Sequence, residues 1–181
     1  QILTALCELC DQQMIHRDIK PGNILITGES SELVLKVADF GLARQRDSYA
    51  ESTMTVAGTS FYQAPEVAHG KYTHKVDVWS LGIVLMQLMI LDTHDALGFV
   101  DPKDTSQTDE DIERGVGLAI ARIPQQYSQE LVEFARLLLE VDPHNRPDAE
   151  EAQSMLGQIM ADSTGSSTSR VLLQSVREAR W

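Results

Sequence analysis

The stretch from Lys75 to Leu91 constrains the fold more than any other part of the chain. It holds Trp79, Leu81, Ile83, Val84, Leu85, Met86, Leu88 and Met89, and it is apolar most of the way round a helical wheel. Such a helix has no face to give to water, so other elements must enclose it. A bilayer is the other possible enclosure. It fails on length, because a span needs ~20 apolar residues, and on Asp77 within the stretch. The expectation is a mainly α domain built around one buried central helix.

The rest of the chain supplies the enclosing material. Residues 1–13 look like part of an amphipathic helix, with Ile2, Leu3, Leu6, Leu9 and Cys10 at three- and four-residue spacings. Helical patterns return at 111–122, 128–140 and 148–161. Two β-type runs, Ile24-Leu25-Ile26 and Leu33-Val34-Leu35-Lys36-Val37, flank the turn signal Gly28-Glu29-Ser30-Ser31 and predict a small hairpin. Residues 42–63 read as a mobile polar loop, and 92–110 as acidic and irregular. Residues 162–169, rich in Ser and Thr, read as a flexible linker. Residues 170–181 form a tail of helical character, read as a solvated extension in preference to a regulatory docking helix.

At 181 residues the chain is long enough for one domain with a sizeable core. Its net charge of −12 argues against nucleic acid or an anionic membrane as the main partner. An acidic surface is compatible with basic substrates, although ordinary solubility explains it as well. No apolar run approaches membrane-spanning length and no signal-like N-terminus appears, so a cytoplasmic or nuclear location is expected. Cys7 and Cys10 form a C-x-x-C with no second pair, so packing of helical thiols is preferred over a metal or redox site.

The chemistry-bearing residues are concentrated in three runs. His16-Arg17-Asp18-Ile19-Lys20-Pro21-Gly22-Asn23 places a carboxylate, a lysine and an amide in one short loop. Asp39-Phe40-Gly41 and Ala64-Pro65-Glu66 follow in that order. Together they resemble the catalytic loop and its downstream partners in eukaryotic serine/threonine protein kinases. The resemblance covers residues 1–161 and implies a kinase-like C-terminal lobe, mainly α with a small β-hairpin at the active site and with the N-terminal lobe absent.

What the resemblance implies is specific. Asp18 looks like the catalytic base, while Asn23 and Asp39 look like ligands of the magnesium that accompanies ATP. Lys20 matches the lysine that contacts the transferred phosphate in serine/threonine kinases and is missing from tyrosine kinases. Leu25 resembles the residue beneath the adenine ring. His16 and Phe40 resemble a regulatory hydrophobic stack, and Gly58-Thr59 resembles the loop that binds protein substrates. Glu66 and Arg146 resemble a buried structural ion pair. Asp77 resembles the residue that hydrogen-bonds the catalytic-loop backbone. Arg17, which precedes Asp18, suggests control by a phosphate on the loop, with Thr55 as its acceptor and an upstream kinase as a further partner.

Several departures bear on activity and specificity. No glycine-rich loop and no strand-borne lysine of the V-A-I-K type occur in the chain, and it opens on Gln1 inside a helix. It is therefore expected to be a fragment, nearly inactive alone, with apolar groups such as Leu25 exposed to association. Gly22 and Gln87 stand where arginine-directed kinases tend to carry acids. Gln63 stands where many relatives are apolar. Residues 123–131 resemble NIMA-related kinases. The competing reading is a non-catalytic pseudokinase or kinase-lobe interaction module, against which the intact Asp18, Asn23 and Asp39 weigh.

Overall fold

The structure, a computed structural model, describes residues 1–28, 33–45, 60–70, 72–91 and 106–162. In chain order, α1 (Ile2–Asp11) leads into β1 (Met14–Ile15). A 3-10 turn at Pro21–Asn23 leads into β2 (Ile24–Thr27), and then β3 (Val34–Val37) and β4 (Arg44–Gln45) follow. Short 3-10 segments at Phe40–Leu42, Ser60–Tyr62 and Pro65–His69 lie between and after these strands. Four helices complete the order: α2 (Lys75–Ile90), α3 (Asp109–Ile120), α4 (Gln129–Leu138) and α5 (Ala149–Asp162).

Helix α2 is the enclosed central helix that its composition demands. Trp79, Ile83 and Met86 belong to one core cluster, with Ile112 and Val116 of α3 and with Ile15, Ala64 and Leu139. Val78 and Met89 belong to a second, with Leu3, Leu6 and Leu9 of α1, Leu131, Phe134 and Leu138 of α4, and Ala149 and Ala152 of α5. A helix shared between two cores needs apolar side chains on opposite faces, which explains the lack of a polar stripe. Close approach of α4 depends on Gly82. A Cβ there would lie 2.9 Å from Leu138 Cβ and 3.0 Å from Leu139 Cδ2.

Side chains also close the backbone at the helix starts. At α3, Asp111 N donates to Thr108 Oγ1 and Thr108 N donates to Asp111 Oδ2, a reciprocal capping box. The helix therefore begins at Asp109, two residues before the apolar periodicity suggests, and the irregular segment is shorter than expected. Asp148 and Glu151 exchange the same pair of bonds at the start of α5, each at 2.9 Å. Gln153 of α5 donates to Thr4 of α1 at 2.8 Å and accepts from the half-buried Cys7 thiol at 3.8 Å. Cys7 packs against the second core cluster.

The hairpin forms as expected. β2 and β3 pair antiparallel, with Ile24 opposite Val37 and Thr27 opposite Val34. Gly28 leaves β2 at φ 98°, a conformation open to glycine. Gln1 pins the outer edge of β3, accepting from Leu35 N at 2.6 Å and donating to Leu33 O at 3.2 Å. One element differs from expectation. Arg44 and Gln45, within the segment read as loop, pair with Ile15 and Met14 in a second two-stranded ladder. Two residues per strand are too few to produce an alternating pattern, so tertiary pairing alone creates it. The expected linker beyond Asp162 and the tail lie outside the described residues, as do most of 42–63 and 92–110.

Candidate active site

The site is assembled on Asp77, buried in the first turn of α2. Its carboxylate accepts from His16 N at 2.7 Å and from Arg17 N at 2.8 Å, so α2 grips the loop ahead of Asp18. Burial pushes the Asp77 carboxyl above its ordinary value, and the two N–H donors pull only partly against it. The grip has a mechanical purpose. Arg17 sits at φ 68° and Asp39 at φ 60°, left-handed conformations that non-glycine residues adopt at a cost of roughly 1–3 kcal/mol.

Asp18 is organised by its neighbours. Lys20 Nζ lies 2.7 Å from Asp18 Oδ2, and Asn23 Nδ2 donates to the same oxygen at 2.8 Å. Asn23 Nδ2 also donates to Asp18 O at 2.8 Å. Two donors therefore converge on Oδ2, and Oδ1 has no partner among the described residues. The planar amide turns Asn23 Oδ1 away from Asp18. Ala38 N donates to Asn23 O at 2.8 Å, joining the base of the hairpin to the loop that carries Asp18. The next residue is Asp39, whose Oδ1 accepts from Gly41 N at 3.2 Å.

This donor set suits a hard cation. Asn23 Oδ1 and Asp39 Oδ2 are oxygens, one neutral and one anionic, of the kind that hold magnesium together with phosphate and water. Among the described residues no group of three or more His, Cys, Asp or Glu could hold a metal. Two such residues leave most of a metal's coordination shell to ligands from outside the described residues.

His16 is wholly buried and connects these parts. Asp18 N donates to its Nδ1 at 3.3 Å, and its Nε2 lies 3.2 Å from Ala38 O. The pair of bonds requires the tautomer with the proton on Nε2. Phe40 meets the His16 ring edge-on, with centroids 5.1 Å apart. The Arg17 guanidinium donates to Leu42 O through Nε at 2.8 Å and also through Nη2, and its Nη1 reaches Tyr72 OH at 3.4 Å. Arg17 thus straps the residues after Asp39 to the loop. Tyr72 has no motif around it, and the sequence reading did not single it out.

Behind the site, Arg146 is fully buried and forms a bidentate pair with Glu66. Nη1 meets Oε1 at 2.7 Å and Nη2 meets Oε2 at 3.1 Å. Lys75 O, Val141 O and Glu140 O accept its other N–H groups, so all five guanidinium donors are used. The guanidinium also lies 5.0 Å over the Trp79 ring. Leu25 is 52% exposed on β2. Gly58, Thr59 and Thr55 lie outside the described residues. Next to them, Tyr62 OH donates to Gln87 Oε1 at 3.0 Å and Ser80 Oγ donates to Tyr62 O at 2.6 Å. The sequence reading reached Gln87, and it took in Tyr62 and Ser80 only as members of longer runs, with no role for either side chain.

The chain is 35% identical over 158 residues to calcium/calmodulin-dependent protein kinase cmkA of Emericella nidulans, covering 84% of this chain and 36% of that protein. It is 34% identical over 157 residues to probable serine/threonine-protein kinase nek2 of Dictyostelium discoideum, covering 83% and 34%. It is 36% identical over 153 residues to serine/threonine-protein kinase Nek9 of Xenopus laevis, covering 83% and 15%. The chain thus spans about a third or less of the length of these curated relatives. The family description "Protein kinase domain" matches residues 1–156, and the chain belongs to the protein kinase family.

Proposed function

We propose that residues 1–161 form the C-terminal, substrate-binding lobe of a serine/threonine protein kinase that transfers the γ-phosphoryl group of ATP to a protein hydroxyl. The convergence of Lys20 and Asn23 on one oxygen of Asp18 carries this reading. Those two donors hold the carboxylate still and leave Oδ1 to accept the proton of an incoming serine or threonine hydroxyl. Lys20 then lies within reach of the transferred phosphate and offsets its charge. Asn23 Oδ1 and Asp39 Oδ2 would hold magnesium, which with ATP supplies the electrophilic phosphorus. Leu25, exposed on β2, offers an apolar surface for the adenine ring. Asp77 and Glu66–Arg146 keep the loop and the substrate segment in register. Gly58 and Thr59 belong to that substrate segment.

Arg17 is proposed as the receptor for a phosphate placed on Thr55 by an upstream kinase. The phosphate would compete with Leu42 O and Tyr72 OH for the guanidinium. Similar identities to kinases of different names support the family and do not favour the NIMA-related resemblance of residues 123–131 over another subfamily. A second reading is a kinase-like interaction module without catalysis. Within the 181 residues no glycine-rich loop or strand lysine occurs to hold the ATP phosphates. One comparison separates the two readings. Asp18→Asn, in protein carrying the chain and at saturating ATP, should lower serine/threonine phosphotransfer by about 10²–10⁴-fold. Equal transfer by the two proteins, or none by either, would sink the catalytic reading.

A further inference from the structure

Helix α5 is well covered in its first half and poorly in its second. Ala149 and Ala152 are buried, whereas Leu156 and Ile159 are half-buried and Met160 leaves 53% of its surface in water. Gly157 stands among these apolar residues. Outside its own stretch of helix backbone, no described atom lies within 4 Å of the place its Cβ would take. A glycine inside a helix weakens it, and here no described neighbour gains close approach in return. Glu150, Gln153, Gly157 and Met160 follow one another at three- and four-residue spacings, so they share one face of α5. That face borders the seam with α1, where Gln153 donates to Thr4 and accepts from Cys7. The far end of the seam is acidic. Burial, and after it the carboxylates of Glu150, Asp11 and Asp148, push the Cys7 thiol up.

The sequence beyond α5 matches this face in order and in charge. Residues 163–169 can span about 23 Å, enough for the chain to turn back. Leu172, Leu173 and Val176 follow at helical spacing, and Arg177 and Arg180 come after them. Three arginines against one glutamate make residues 170–181 basic in a chain of net charge −12. We propose that residues 170–181 dock as a helix antiparallel to α5, with Leu172, Leu173 and Val176 on Gly157 and Met160 and with Arg177 and Arg180 at the acidic end of the α1–α5 seam. This replaces the solvated extension that the sequence alone favours, and it does not depend on the kinase reading. The lengths agree. Glu150 precedes Met160 by about 15 Å of helix, and Arg180 follows Leu172 by about 12 Å. The parallel direction would set the arginines on Met160 and the leucines among the acids. Burial of apolar surface holds the docked helix, and the exposed charge pairs fix its direction more than its strength.

Hydrogen exchange of the 181-residue chain, read by mass spectrometry, tests this. The amides of residues 172–180 should exchange at least tenfold more slowly than in a free peptide of the same sequence. Gly157→Leu fills the open space at an exposed position. It should return the segment to the free-peptide rate while the amides of α2 stay protected. Arg177→Glu with Arg180→Glu, changes beyond α5, should speed exchange of the segment at least threefold at low salt and by less at high salt. Free-peptide exchange in the unaltered chain, or protection that neither variant changes, would overturn the proposal. Protection that is lost on dilution would overturn it as well, by assigning the segment to the α5 face of a second copy.

Discussion

At Arg146 a fully buried cation is tolerated because each of its five N–H groups has an acceptor and a carboxylate balances its charge. Removing Glu66 alone strands that charge. Glu66→Leu is expected to cost about 3–5 kcal/mol in urea unfolding. The double variant Glu66→Leu with Arg146→Met should cost less than the sum of the single changes, which a double-mutant cycle measures. Asp77 behaves differently. Its carboxyl is raised by burial, so the folded chain takes up this proton more readily than the unfolded chain, whose value is near 3.8. The associated stability is fully present below the unfolded value and is lost as pH rises through the folded one. Unfolding free energies of wild type and Asp77→Asn, compared across the acid range, should show the wild-type advantage shrinking as pH rises. An advantage that grows with pH would contradict the raised value.

Helices and strands were legible in proportion to how much local pattern they carry. Helix α2 declares itself because two cores require apolar residues all round it. The β2–β3 hairpin is legible from β-branched and apolar runs around a glycine turn. The β1–β4 ladder leaves no local trace, since a two-residue strand is made by its partner alone. The candidate site shows the same division. Asp18, Asn23 and Asp39 lie in compact motifs, and the structure brings them together at the hairpin base through the Ala38–Asn23 bond. Tyr62 and Gln87, 25 residues apart, meet only because Ser80 anchors the 3-10 segment to α2. Gly82 tests the packing at this scale. Gly82→Ala pushes a methyl into Leu138 and Leu139 and is expected to cost about 1–3 kcal/mol. Thermal unfolding checks this, and an unchanged midpoint would mean that α4 can slide away from α2.

Over the described residues as a whole, the hairpin and the segment after it carry the largest group of exposed apolar side chains, while Phe61, Leu91, Leu118 and Met160 are exposed elsewhere. Leu25, Ile26, Val34, Phe40 and Leu42 are each at least 37% exposed. An apolar surface of this kind is expected to associate. The purified chain should bind a hydrophobic dye and self-associate as its concentration rises. Leu25→Ser with Ile26→Thr should reduce both, as read by fluorescence and sedimentation. A chain that stays monomeric and dye-free at high concentration would contradict the assignment.

Because α2 is common property of two cores, neither half can melt and leave the other standing. Loosening the α1–α4–α5 side strips cover from the same helix that Trp79 anchors on the other. The lower wall of the site hangs from Asp77 at the first turn of this helix. Its geometry is therefore as durable as the whole domain, and heat should abolish it in a single step together with the fold.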